Sequence, residues 1–232
     1  MMASGPTDHI AARLATTRAE LASAAQDCGR SPAEITLVAV SKRHSAAAIR
    51  AAYAAGQRDF GENYAAEWAS KAAELADLAD LSWHFVGHLQ RNKMRQLAGR
   101  VALLHGIDSL AGVVELSRRA EAFGHPQPIL LQINVSGEAS KSGCSEEEAH
   151  ELAAAALRAP GLRLHGLMTM PPPVDDPELA RPFFARLAAL QRRLHAELLP
   201  VREDALSYLS MGMSADFAVA IAEGATHVRV GT

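Results

Sequence analysis

The chain has 232 residues, 49% of them hydrophobic and only 5% aromatic, with a formal net charge of −3. That size suits one or two domains with a sizeable core, and the mild acidity excludes a broad basic nucleic-acid footprint. No run of 18 apolar residues offers a membrane span, the N-terminus lacks the basic start and apolar centre of a signal peptide, and the two cysteines, Cys28 and Cys144, fit neither a metal pattern nor a disulfide framework, so a soluble cytoplasmic protein is the expectation.

The first predicted element is an amphipathic helix in "DHIAARLATTRAELASAAQDCGR". Ile10, Leu14 and Leu21 recur among alanines, and Gly29 and Pro32 stop the pattern. This N-terminal part, residues 1–30, is expected to pack on the rest. Short apolar runs then alternate with helical patterns. Strands are predicted near 35–42, 59–63, 83–87, 102–107, 128–135, 162–169, 206–211 and 227–231. Helices are predicted near 45–55, 64–77, 91–99, 110–122, 145–158, 178–198 and 214–223.

Strand–helix alternation implies a parallel sheet with helices outside, and eight such units imply one α/β domain over residues 1–232, a (β/α)8 TIM-type barrel. The rival is an open doubly wound sheet, which usually carries a Gly-rich turn after its first strand. Here that position reads "SKRHSAAA". The Pro-rich "MPPPVDDPE" fits a rigid loop after strand six. The sequence reaches "THVRVGT" with no eighth helix, so the barrel is expected to close without one or to continue in a short tail.

Functional residues of such barrels lie at the C-terminal ends of strands. Lys42 falls there after strand one. Counting by twos, it shares a face with Val40 and Val38, which would aim it into the barrel and partly desolvate its amine for Schiff-base chemistry. An ion-paired or snorkelling lysine is the plainer reading. After strand seven, "SMGMSADF" offers Gly212 for a tight turn and Ser214 as the N-cap of the next helix, whose free N–H groups can bind an anion. After strand eight, Arg229 alternates with Gly231, so both should face inward, and Thr232 offers a hydroxyl. Strand eight neighbours strand one in a closed barrel. An amine, an inward guanidinium and a phosphate cradle from the last two loops describe a pyridoxal 5′-phosphate pocket.

The chain resembles the pyridoxal phosphate homeostasis protein family, itself similar to the barrel domain of alanine racemase. The matching stretches are "LVAVSK", "GQRDFGENYAAE", "WHFVGHLQRNK", "QINVSGEASKSG", "HGLMTM", "LSMGMSADF" and "HVRVGT", in order across residues 37–232. The resemblance implies pyridoxal 5′-phosphate held as a Schiff base on Lys42, with Asn63 beside it. It implies phosphate contacts from Ser210, Ser214, Gly231, Thr232 and the Met213 backbone, and Arg229 at the pyridine nitrogen. Lys141 would be a loop lysine near the mouth. The family commonly continues "SKTKP", whereas this chain has Arg43, His44 and Ser45, so a second lysine near the Schiff base is missing.

Other signals are weaker. His84 and His88 lack a third metal ligand, "SKSGCSEEE" is not a P-loop, Glu146 to Glu148 start a helix, Cys144 at that helix start reads as a bland small residue before a redox-active one, and Arg192 and Arg193 belong to a solvated face. No metal is expected. The leading expectation is a non-enzymatic protein that stores or delivers pyridoxal phosphate, with apo-enzymes of that cofactor as acceptors, as a monomer or weak dimer without nucleic acid or membrane. The alternative is a racemase or lyase of low activity. A third reading gives the pocket to another phosphorylated metabolite.

Overall fold

The computed structural model describes residues 6–138, 141–198 and 205–231. Thr232 lies outside them. Eight strands run in chain order: β1 (Thr36–Val40), β2 (Asp59–Glu62), β3 (Ser82–Phe85), β4 (Leu103–Ile107), β5 (Gln127–Gln132), β6 (Leu162–Met168), β7 (Tyr208–Met213) and β8 (His227–Val230). Each pairs in parallel with the next, and β8 returns to β1 with Val38 opposite Arg229, which closes the barrel. Runs such as "LVAV" and "ILL" suit these strands because a parallel sheet in this setting is covered on both faces.

Helix α1 (Pro6–Asp27) precedes the barrel. The others alternate with the strands: α2 (Ala46–Ala54), α3 (Ala65–Glu74), α4 (Arg91–Leu97), α5 (Leu110–Glu121), α6 (Ala149–Arg158), α7 (Arg181–Leu198) and α8 (Phe217–Ala222). The main apolar layer lies between strands and helices, where Leu104, Leu116, Ile129, Leu131, Phe184 and Leu187 are fully buried. A smaller cluster of Leu103, Leu130 and Met168, with Tyr208 against it, is separate from that layer.

Helix α1 packs between α2 and α8, the place the repeating pattern would give to a helix following β8. Two arginines fasten it. Arg18 donates to the Ala55 carbonyl at 2.9 Å and to Gln57 Oε1 at 3.1 Å. Arg30, in the turn after α1, donates to the carbonyls of Ile221 at 2.9 Å and Ala225 at 2.8 Å. The acceptors of Ala55, Ile221 and Ala225 are main-chain carbonyls at or just past the ends of α2 and α8, where intrahelical donors run out and positive charge suits the helix dipole.

Several boundaries differ from the sequence expectation, three of them in ways that reshape an element. Strand β7 starts two residues later than predicted and runs on through Gly212 to Met213. Its register against β8 shifts between Ser210 and Met213. Gly212 has φ of 90°, so it makes a bulge inside the strand instead of ending it. Helix α6 begins at Ala149; Ser145 and Glu148 ahead of it exchange backbone-to-side-chain hydrogen bonds at 2.9 and 3.2 Å. The predicted 178–198 helix divides into a 3-10 turn, Pro177–Ala180, and α7. Among the described residues, no helix is long and apolar enough to cross a membrane.

Candidate functional site

Strand β1 stops at Val40, and Ser41, Lys42 and Arg43 turn back toward α2. Arg43 has φ of 64°, a left-handed conformation that a side chain occupies at some cost. A buried ionic cluster holds this turn from behind. The ammonium of Lys71, on α3, donates to the Ser41 carbonyl, to Glu62 Oε1 and to Glu67 Oε1, each at 2.7 Å. The Ser41 hydroxyl donates to Glu62 at 2.7 Å, and the Arg43 N–H donates to Glu67. Burial raises the Glu67 pKa, but Lys71 and the Arg43 N–H outweigh it and hold the carboxyl below its ordinary value. Lys42 itself is exposed. The expected desolvation of its amine is therefore not found, because the strand ends two residues before it.

Across the mouth, Arg229 is 4% exposed and inward, as its alternation with Gly231 implies. Its Nη1 donates to Ser210 Oγ at 2.6 Å and its Nη2 to the Thr169 carbonyl at 2.8 Å. Burial lowers its pKa to about 10, against a smaller opposing pull from Asp216, so it stays charged at neutral pH. Among the described residues two of its five N–H groups are thus engaged, which leaves three.

Ser210, expected among the phosphate ligands, is enclosed behind Arg229 and hydrogen-bonded to His105 Nδ1 at 2.9 Å. Behind it, His105 Nε2 meets His84 Nδ1 at 3.0 Å, and His84 Nε2 meets Asp59 Oδ1 at 3.1 Å. Burial, then Coulombic repulsion within the cluster it forms with His84, His227 and Arg229, puts the His105 pKa well below its ordinary value. In the sequence, His84 reads only as a metal ligand paired with His88. The two are apart: His84 is in the barrel interior, and His88 is exposed beside Asp108 at 3.9 Å. The available signal was the period of two, which puts His84, His105, Ser210 and Arg229 on inward positions of four strands.

The loops after β7 and β8 meet directly. Ser214 Oγ donates to the Gly231 carbonyl at 2.7 Å and accepts from the Gly231 N–H at 3.3 Å. Ser214 is therefore not the N-cap it was expected to be. Asp216 occupies that position before α8, and its carboxylate accepts from the Met213 N–H at 2.6 Å. The longer β7 moved the helix start down the chain. At Gly231, a Cβ would meet the Val40 side chain at 3.0 Å and its carbonyl at 3.1 Å, so strand β8 approaches β1 as closely as glycine allows.

These parts surround one cavity of about 180 Å³, lined by Val40, Lys42, Asn63, Val86, Met170, Met213, Ser214, Arg229 and Gly231. That volume is on the order of the ~150 Å³ that holds a benzene ring in an apolar core. Asn63 lines the cavity, and its buried Oδ1 has no hydrogen-bond partner among the described residues. An amine, a guanidinium with N–H groups to spare, an amide oxygen and two touching loops suit a small anionic aromatic aldehyde. Lys141 is in the loop after β5 and is not among the lining residues. A second cavity of about 200 Å³, between α1, α2 and β1, is mostly apolar and shares only Val40 and Gly231 with the first. Among the described residues, no group of three His, Cys, Asp or Glu side chains could hold a metal.

The fold and this mouth define a barrel of the alanine racemase type: the family described as alanine racemase, N-terminal domain, matches residues 13–232. The alanine racemase of Corynebacterium glutamicum superposes with a TM-score of 0.66 at 20% identity, over 97% of this chain and 60% of that one, a likeness of fold alone. Within that class, the chain belongs to the pyridoxal phosphate homeostasis protein family. It is 48% identical to the member from Pseudomonas aeruginosa, over 96% of this chain and 93% of that protein. It is 45% identical to the one from Escherichia coli strain K12, over 96% and 94%. The structure of PipY from Synechococcus elongatus with PLP bound has a TM-score of 0.83 at 37% identity, over 96% and 97% of the two chains.

Proposed function

We propose that this protein binds pyridoxal 5′-phosphate at the barrel mouth, through a Schiff-base linkage to Lys42, and serves its intracellular homeostasis as a carrier. The observation that carries the reading is the convergence of Lys42, Arg229, Ser214 and Gly231 on one cavity. The family membership and the PLP-bound relative support it. When bound, the cofactor supplies an aldehyde that condenses with amines and a ring that can accept electrons.

Each residue has a physical task. Lys42 offers an exposed amine on a turn fixed from behind by Lys71. Arg229 directs remaining N–H groups at the ring nitrogen and, as a permanent cation, keeps a proton off it. The Ser214 hydroxyl and the Gly231 N–H now satisfy each other, and a phosphate would take both, with the Met213 backbone and Thr232 alongside. Asn63 would bring its amide oxygen to the ring. Lys42 and Arg229 are the only ionisable groups among the described lining residues. A two-base proton transfer has no second base there, which is why a carrier is favoured over a racemase or lyase. Acceptors of the cofactor would be apo-enzymes that use it.

The test is borohydride reduction of the protein loaded with pyridoxal 5′-phosphate, then peptide mass spectrometry. The pyridoxyl group is expected on Lys42, with the visible absorbance lost in Lys42→Ala. An adduct confined to Lys141 or Lys93 would overturn the assignment.

A further inference from the structure

Arg229 is held from behind by a chain of buried side chains that crosses the barrel: Arg229, Ser210, His105, His84 and Asp59, linked at 2.6, 2.9, 3.0 and 3.1 Å. Its two ends set its direction. A guanidinium only donates, so Ser210 Oγ accepts from Arg229. The Ser210 hydrogen then goes to His105 Nδ1. His105 is fully enclosed and neutral, so its one N–H is on Nε2 and points at His84 Nδ1. His84 in turn keeps its N–H on Nε2, which donates to the Asp59 carboxylate. Ser82 Oγ lies 3.4 Å from the same nitrogen.

The reverse arrangement fails on proton count. If His105 donated to Ser210, the serine hydrogen would lose its acceptor in the chain. His84 would have to donate from both nitrogens and become a cation beside Arg229, His105 and His227. A cation at one end and an anion at the other therefore make every link donate away from the mouth. Burial alone would raise the Asp59 pKa, but the His84 and Ser82 hydrogen bonds outweigh it and keep the carboxylate ionised. Asp59 is the partly open end, its side chain 32% exposed, whereas His84, His105 and Ser210 are buried.

We propose that Asp59, His84 and His105 are positioning residues for the cofactor's ring nitrogen, acting through Ser210 on the guanidinium of Arg229. The inference rests on the pocket proposed above. With Nη1 anchored on an oriented hydroxyl and Nη2 on a carbonyl, the remaining N–H groups of Arg229 have one direction left, into the cavity. Breaking the chain at His105 frees the Ser210 hydroxyl to rotate and loosens Nη1. The ring nitrogen then meets a guanidinium in several orientations.

The experiment uses pyridoxal 5′-phosphate labelled with 15N in the ring, bound to the full chain. Affinity is read by visible titration and the ring nitrogen by NMR. His105→Leu is expected to weaken binding about 10-fold, the size of one hydrogen bond to a charged group, and to move the ring 15N resonance. His105→Gln can accept from Ser210 and donate to His84, so it is expected to restore the native resonance and bring affinity within about twofold. Asp59→Asn, at the open end and of equal size, should move the resonance in the same direction by less, and it decides the matter if His105→Leu fails to fold. Native affinity and resonance in folded His105→Leu and in Asp59→Asn would overturn the inference alone. A native chain that does not bind the cofactor would overturn the proposed function, and this inference with it.

Discussion

At the scale of single residues, the site is two cations with opposite surroundings. Lys42 is solvated on a turn, and Arg229 is enclosed in a polar core. What fixes Lys42 is another lysine. Lys71 satisfies three oxygens, and the Glu62 residue beneath it is fully buried. Lys71→Met would leave Glu62 as an unpaired buried charge, a loss of about 3–5 kcal/mol. Urea unfolding is expected to show that loss, and Lys71→Met combined with Glu62→Leu should recover most of it. A double variant no more stable than Lys71→Met would place the cost in the Ser41 contact instead. The inward aim of Arg229 and Gly231 was legible in the sequence, because a strand's period of two assigns faces whatever the partner. The exposure of Lys42 was not, since it depends on a strand end two residues earlier than apolarity suggests. Glu67 and Lys71, four apart, form an ion pair on one helix face. Its use beneath the Lys42 turn depends on β2 bringing Glu62 to the same point, which no local pattern records.

At the scale of elements, the proposed phosphate cradle lies where β7 and β8 give way to their loops. Ser214 joins those loops through both backbone groups of Gly231. Ser214→Ala removes that link and the hydroxyl offered to a phosphate. A hydrogen bond to a charged group is worth about 1.5–3 kcal/mol, so pyridoxal 5′-phosphate should bind about 10- to 150-fold more weakly. Pyridoxal, which lacks the phosphate, should change little. Equal weakening of both ligands would show that the substitution acts on the loops and not on phosphate recognition. All eight strands were legible, since apolar runs bounded by helical periods repeat eight times. The extent of β7 was not. Gly212 reads as a turn residue, yet at φ of 90° it serves as a bulge within the strand, and a Cβ there would meet the Ala220 side chain at 2.6 Å. That close strand–helix approach is a tertiary fact. It is also why the predicted N-cap moved from Ser214 to Asp216.

At the scale of the whole molecule, the barrel interior is unusually polar, and this has a cost in acid. Burial, with His84 adding to it, lowers the His227 pKa to about 3 against an opposing pull from Asp59. The unfolded chain takes up a proton near pH 6.5 that the folded chain refuses, so stability is lost as pH falls through that value and continues to fall toward 3. Between pH 7 and pH 5 this one residue removes about 2 kcal/mol. His105, lowered for the same reason, acts in the same direction over this range, and Asp59, whose carboxyl is held below its ordinary value, adds a further loss only below about pH 4. Thermal melts should therefore fall across this range, and His227→Gln should flatten the slope. A slope unchanged by His227→Gln would assign the acid loss to other groups. The same interior bears on whether the protein turns over amino acids. In the proposed pocket Arg229 would disfavour a protonated ring, and so weaken the ring as an electron sink. Lys42 offers one amine, and the described cavity lining holds no second base. Mixed with L-alanine in heavy water, the loaded protein is therefore expected to leave the Cα proton in place over a time in which a median enzyme, at about 10 turnovers per second, would act thousands of times. NMR of the recovered alanine, with Lys42→Ala as the control, makes the measurement. Exchange near that median rate that depends on Lys42 would replace the carrier with a racemase-like enzyme. Exchange equal in the control would belong to a contaminant and leave the carrier in place.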